Sequence, residues 1–121
     1  MKLIQVMNAL PVLQKVMKLS LPIKKSFKIY TLAKQVNDTR DFFIKEEKKI
    51  IDKYEVKVLE NGSLEFKDIE AQRGFTKEHN ELLDYELEGA TAIDLTFDDL
   101  KDAKLSAIEV ATLEGIINFI D

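Results

Sequence analysis

The sequence contains no cysteine and no tryptophan, and it has only two prolines, four glycines and one histidine. The lack of cysteine excludes disulfides, zinc–thiolate sites, iron–sulfur clusters and cysteine nucleophiles together. No apolar run approaches the roughly 18 residues that a membrane-spanning helix needs. Polar residues at Asn8, Gln14, Lys15 and Lys18 interrupt the opening segment, so we expect no signal peptide and a cytoplasmic protein.

The remaining composition is that of a folded chain. Its 121 residues suit a single domain spanning 1–121, and 45% apolar with 33% charged residues is typical of a helix-rich globule. A chain of this length can bury a substantial core without covalent cross-links.

Negatively charged residues are absent from the first 34 positions of the chain. Residues 1–34 carry seven lysines and no acidic residue, whereas residues 54–121 carry 17 acidic and six basic residues. This division indicates an electrostatically complementary surface, with Lys18, Lys24, Lys25 and Lys28 as its predicted basic part. The alternative is that the basic and acidic parts neutralise each other within the fold or across a dimer.

Two helices are predicted in the first half of the chain. Asn8 is a candidate N-cap for a helix over residues 9–19, which places Pro11 in its first turn. Residues 24–54 contain neither proline nor glycine and predict one amphipathic helix of about eight turns. The alternative is a break near residues 37–39, a run of three poor helix formers, giving two shorter helices.

An apolar stripe follows the long helix. Ile29, Val36, Phe43 and Ile50 are spaced by seven residues. A helix of about 30 residues is some 45 Å long, which exceeds the diameter of a small domain. The stripe therefore predicts an assembly surface for a second copy or another protein, with part of it covered by the first and last helices.

After residue 54 the spacing of apolar residues changes from the helical pattern to every second residue, as in a β-strand. Segments 55–60 and 63–67 predict a β-hairpin whose Asn61-Gly62 turn is of type I′. Gly74 then separates the hairpin from a helix over residues 76–88 that is capped by Thr76.

The C-terminal part predicts one more strand and one more helix. Residues 91–97 alternate as a strand does, with Asp94 and Thr96 facing water. Ser106 and Glu109 have the spacing of a capping box, and the apolar face of the helix that follows continues to Ile120. The predicted fold is α+β and predominantly helical, with one long helix and two or three shorter ones packed on a small antiparallel sheet that includes the hairpin.

The sequence offers little for catalysis. It has no phosphate-binding loop, dinucleotide fingerprint or nucleophile elbow, and we interpret His79, the only histidine, as a surface or partly buried residue of its helix. The cluster Asp94, Asp98, Asp99 and Asp102 lacks the spacing and glycine of a calcium loop. We therefore expect no catalytic residue, cofactor or metal, and no enzymatic activity.

One alternative is a nucleic-acid-binding accessory protein that uses the lysine-rich segment. Residues 24–30 interleave Phe27 and Tyr30 with lysines, as single-strand binders do. The chain has only two arginines, however, and arginine dominates base and bidentate phosphate recognition. We therefore expect Phe27 and Tyr30 to pack in the fold, with Lys24 and Lys28 beside them in water.

The order of these features resembles a family of small proteins of unknown function from siphovirus-type phages and prophages of Gram-positive bacteria. The pieces that carry the resemblance are the opening helix, LPIKKSFKIYTLAKQ before DFFIKEEKKIIDKY, the ENG turn, FTKEHNELLDYELE and LSAIEVATLEGIINFI. The resemblance implies a phage gene product in the host cytoplasm or the virion, and it carries no catalytic residue with it.

We therefore expect a non-enzymatic protein–protein interaction module. Its predicted role is that of a virion or assembly accessory, or an inhibitor of a host defence protein. Its predicted partner is a protein or a second copy of itself, without a membrane.

Overall fold

The computed structural model describes residues 1–120. Helix α1 spans Leu3–Met17 and therefore begins six residues before the predicted start, with Pro11 in its interior. Gln5 Oε1 accepts a hydrogen bond from the Lys2 amide at 2.7 Å, which satisfies one backbone donor at the true N-terminus of the helix. An unbroken buried stripe on both sides of Pro11 stabilises the helix despite the one hydrogen bond that proline cannot donate. The stripe consists of Leu3, Val6, Ala9, Val12, Leu13 and Val16.

Helix α2 is a single helix of 31 residues, Ile23–Lys53, as the sequence predicted. It begins after Pro22 and runs without a break through residues 37–39, so the alternative of two shorter helices is wrong. Thr39 donates its hydroxyl to the Gln35 carbonyl at 2.9 Å, which accommodates this poor helix former inside the helix.

The hairpin is confirmed, but its turn differs from the predicted type. Strand β1, Lys57–Val58, pairs antiparallel with β2, Leu64–Glu65. Gly62 has φ +85°, while Asn61 does not have the positive φ that a type I′ turn requires. The Gly62 amide bonds the Leu59 carbonyl at 2.9 Å and the Leu59 amide bonds the Ser63 carbonyl at 2.8 Å. These bonds define a three-residue loop that ends in a left-handed glycine bulge.

Helix α3 spans Ile69–Leu83, so the predicted start at Thr76 is wrong. Asp68 is the real cap, because its carboxylate accepts a hydrogen bond from the Ala71 amide at 2.7 Å. Gly74 lies within this helix. A Cβ there would meet the Tyr54 ring, at 2.7 Å from Cζ and 2.9 Å from the hydroxyl oxygen. The glycine thus permits close approach of an aromatic ring and does not separate two elements.

Replacing Gly74 with Ala is expected to destabilise the protein by up to about 1 kcal/mol, because displacing the distal part of the Tyr54 ring from α3 should cost more than alanine gains over glycine in a helix. In a Tyr54→Ala background the same change should be neutral or stabilising by up to about 1 kcal/mol, since alanine favours a helix more than glycine does. Urea denaturation of the parent protein, the two single variants and the double variant gives the free energy of unfolding of each. Equal costs in both backgrounds would show that the ring does not set the requirement for glycine.

The C-terminal part forms a compact βαβ unit. Strand β3, Ile93–Thr96, leads into the single-turn helix α4, Phe97–Leu100, then a 3-10 turn at Lys101–Ala103, helix α5, Ala107–Leu113, and strand β4, Ile117–Ile120. The two strands pair in parallel, with Ile93 opposite Ile117 and Thr96 opposite Ile120. This pair is separate from the antiparallel hairpin.

The capping box at the start of α5 is confirmed. The Glu109 amide donates to the Ser106 hydroxyl at 3.2 Å, and the Ser106 amide donates to Glu109 at 3.0 Å. The predicted continuation of this helix to Ile120 is wrong, because α5 ends at Leu113 and residues 117–120 are strand β4.

The core lies where α1, α2 and the βαβ unit meet. The largest fully buried side chains include Leu13, Leu32, Leu95, Leu113 and Ile117, and every buried side chain of the described core is hydrophobic. None of the helices within residues 1–120 combines the length and apolarity needed to cross a membrane.

Candidate interaction face of helix α2

The predicted heptad stripe is largely covered by the chain itself. Ile29 and Val36 are 4% and 0% exposed and belong to the same buried cluster as the apolar residues of α1. Phe43 is half-buried, with its ring 5.9 Å from that of His79 on α3, and Ile50 is also half-buried. Ile29 and Val36 therefore do not form an accessible assembly surface.

A different face of α2 carries exposed apolar side chains. Ile23, Phe27 and Tyr30 are 82%, 64% and 60% exposed, and the rings of Phe27 and Tyr30 lie 6.0 Å apart. Their spacing of four and then three residues places them on one side of the helix. We call these three residues the α2 patch. The expectation that Phe27 and Tyr30 pack within the fold is wrong, because the core takes the opposite face of the helix.

The four lysines of the predicted basic surface have different surroundings. Lys24 and Lys28 are exposed beside the α2 patch, and neither forms an ion pair with any residue of the described range. Lys25 instead binds Asp99, with 2.6 Å between Nζ and Oδ1. Lys18 is exposed at the C-terminus of α1, near Asp102 in a shallow pocket. Within the described part of the chain, Lys24 and Lys28 are thus the cations beside the patch that have no ion-pair partner.

Asp99 joins α4 to the first turn of α2. One carboxylate oxygen accepts from Lys25, the other accepts from the Thr96 amide at 3.0 Å, and the Asp99 amide donates to the Thr96 hydroxyl at 3.0 Å. The Lys25 ammonium, followed by the Thr96 amide, holds the pKa of Asp99 below its usual value. Only 8% of the carboxylate side chain is exposed. This contact fixes the start of α2 and so the position of the patch.

Replacing Asp99 with Asn should lower the free energy of unfolding at pH 7 by about 1–2 kcal/mol, through the loss of charge-assisted hydrogen bonds. Because the folded-state pKa is lowered, the stabilisation is complete above the unfolded pKa of about 4 and is lost as the pH falls through the folded value. The difference from the parent protein should therefore shrink below about pH 4.

Asp98→Asn is the matched control, since Asp98 is 84% exposed and its nearest cation, Lys101, lies 3.4 Å away. Unfolding midpoints measured between pH 2.5 and pH 7 compare the variants. An Asp99→Asn deficit that persists unchanged at pH 2.5 would contradict the role given to the ionised carboxylate.

His79 has a packing role between α2 and α3. Its ring stacks on Phe75 at 5.2 Å and meets the edge of Phe43, and Nε2 lies 2.8 Å from a carboxylate oxygen of Glu47. No serine or threonine hydroxyl is bonded to this pair in the hydrogen-bond network of residues 1–120. Within that same range, no three His, Cys, Asp or Glu side chains are grouped so as to hold a metal ion.

A groove continues from the α2 patch along the helix. It has a volume of about 500 Å³ and lies between α2 and the segment that follows α3. Phe42 and Tyr85 form one end of it, with ring centroids 6.3 Å apart. Sequence reasoning missed this groove because Tyr85 is remote from Phe42 in the chain. The α2 patch was also missed, although the spacing of Ile23, Phe27 and Tyr30 is a visible signal of a second apolar face.

Comparison of the chain with protein-family models, with curated proteins and with solved structures found no significant match.

Proposed function

We propose that the protein is a non-enzymatic interaction module that binds an acidic partner protein through the α2 patch. The observation that carries this proposal is that three exposed apolar side chains lie on one helix beside two lysines, Lys24 and Lys28, that have no ion-pair partner in residues 1–120. Exposed aromatic residues with a polar rim are typical of protein interfaces. The Asp99–Lys25 contact holds this surface in place before the partner binds.

Charge favours an acidic partner over a second copy of the chain. A two-fold axis through the α2 patch would bring the lysines of both copies together, since an isologous interface uses the same residues twice. Like charges placed together across an interface are strongly unfavourable. A partner with apolar anchors and neighbouring carboxylates meets the lysines with opposite charge.

Nucleic acid is the less favoured ligand. Among residues 1–120, the cations beside the α2 patch without an acidic partner are Lys24 and Lys28, with Lys34 one turn further along. Nucleic-acid binders commonly contact about 6–10 phosphates. Ile23, the most exposed member of the patch, also has no aromatic face on which a base could stack.

The resemblance to small phage proteins supports a biological setting for this module. We place it among phage accessory proteins that assist virion assembly or inhibit a host defence protein, acting in the bacterial cytoplasm or within the virion. Both roles require a stoichiometric binding surface and no catalytic group.

The test uses two synthetic helical peptides that share three apolar anchors at positions i, i+4 and i+7. One peptide has glutamates beside the anchors and the other has lysines. Fluorescence anisotropy should show tighter binding of the glutamate peptide. The Lys24→Glu/Lys28→Glu variant should lower its affinity about tenfold or more, as expected for the reversal of two interface charges.

The matched control is Lys45→Glu/Lys48→Glu, which changes two exposed lysines further along α2. This control should bind the glutamate peptide within about twofold of the parent protein. Equal affinity for both peptides, or equal losses in both double variants, would contradict the proposal. Tighter binding of a single-stranded oligonucleotide, lost in Lys24→Glu/Lys28→Glu, would favour nucleic acid instead.

A further inference from the structure

We infer that the partner contributes a helical segment about four turns long, acidic at one end and basic at the other, which lies along α2 from the α2 patch into the groove beside Tyr85. This inference rests on the proposed function and specifies which partner the same surface selects. Three features carry it: the continuity of the surface, its length, and the order of charges along it.

The α2 patch and the groove form one surface. Thr31 and Lys34 line the groove, and they lie one helical turn beyond Phe27 and Tyr30 respectively. Both residues are exposed. A segment seated on Phe27 therefore meets the groove walls as it continues toward the C-terminal half of α2.

The length of this surface fits a helix better than a compact loop. At 1.5 Å per residue, Phe27 and Phe42 are about 22 Å apart along the axis of α2. A helical partner of about 15 residues spans that distance. Apolar anchors about four turns apart would reach the α2 patch at one end and the Phe42–Tyr85 pair at the other, which is the geometry of helix-in-groove recognition.

The charges change sign along the same path. Lys24 and Lys28 flank the α2 patch, whereas the groove is lined by one cation, Lys34, and by two carboxylates, Asp38 and Glu88, so that its net charge is negative. Asp38 and Glu88 are exposed, and neither has an ion-pair partner among residues 1–120. A partner that is acidic throughout would meet these two carboxylates with like charge, so the surface favours a partner whose far end is basic.

The experiment compares two peptides of about 15 residues with the same anchors at both ends. The dipolar peptide has glutamates around the first anchor and lysines around the second, and the uniform peptide has glutamates around both. The parent protein should bind the dipolar peptide about fivefold more tightly or better, the effect of two exposed charge pairs. Asp38→Lys/Glu88→Lys should reverse this preference.

The matched control is Glu60→Lys/Glu65→Lys on the hairpin, where both residues are exposed. This control should keep the preference of the parent protein. If both peptides bind equally and depend on Lys24 and Lys28, the dipolar inference is wrong while the proposed function stands. If neither peptide binds, or if binding is indifferent to Lys24→Glu/Lys28→Glu, the proposed function fails and the inference fails with it.

Discussion

Replacing Val36 with glutamate is expected to prevent folding or to lower the melting temperature by about 15 °C or more. Val36 is 0% exposed in the middle of α2, within the core shared with α1. A carboxylate there would be buried without a partner, a change that costs several kcal/mol when domains of this kind have only about 5–15 kcal/mol in total. Circular dichroism measured on heating tests this expectation.

Lys34→Glu provides the comparison, because Lys34 lies on the same helix but is exposed. That variant should melt within a few degrees of the parent protein, since solvated surface charges contribute little. A Val36→Glu protein that melts as the parent does would show that Val36 lies on an accessible surface and would restore the heptad stripe as a docking face.

Replacing Leu95 with Ala is expected to cost about 2–5 kcal/mol, because Leu95 is 1% exposed and its removal leaves a cavity in the core. The same substitution at Leu64, which is 38% exposed on β2, should cost less than about 1 kcal/mol. The comparison shows how much each small sheet contributes to stability, since β3 is part of the core and the hairpin lies at the periphery. Urea denaturation gives both free energies of unfolding, provided that the two variants show the same dependence on urea concentration.

Equal costs for the two leucine substitutions would contradict this division. A cost at Leu64 above that at Leu95 would show that the hairpin contributes more to the stability of the protein than β3 does.

The elements predicted correctly from the sequence are those whose formation depends on residues close together in the chain. Helix α2 follows from a long stretch without proline or glycine, and the start of α5 follows from the Ser106–Glu109 capping box. The position of the hairpin follows from Asn61-Gly62, although the turn type depends on a loop of three residues. In each case, residues within a few positions of one another supply the physical cause.

The elements predicted wrongly depend mainly on contacts between residues far apart in the sequence. Residues 117–120 have apolar spacing compatible with a helix, but they pair with β3, which lies more than 20 residues earlier in the chain. Gly74 has the local appearance of a helix boundary, and only the Tyr54 ring explains its place inside α3. The start of α3 was accessible from sequence, because Asp68 is a favourable N-cap residue.

The candidate site also depends on contacts that the sequence does not reveal. The sequence shows that α2 has apolar residues on more than one face, but it does not show which face α1 covers. The heptad spacing predicted a partly covered assembly surface on Ile29, Val36, Phe43 and Ile50. The structure buries Ile29 and Val36 against α1 and exposes Phe27 and Tyr30 on the other face. The free lysines were predicted, but the pairing of Lys25 with Asp99 requires a contact across 74 residues of sequence.

The central claim is that the exposed face of α2 binds an acidic partner segment. The most direct measurement is a titration of the glutamate-flanked peptide followed by backbone amide chemical shifts of the ¹⁵N-labelled protein. The account predicts that the largest shift changes fall on residues 23–30 and that Lys24→Glu/Lys28→Glu needs about tenfold or more peptide to reach them. Largest changes on the hairpin or the βαβ unit, or no changes at peptide concentrations that saturate the anisotropy signal, would contradict it.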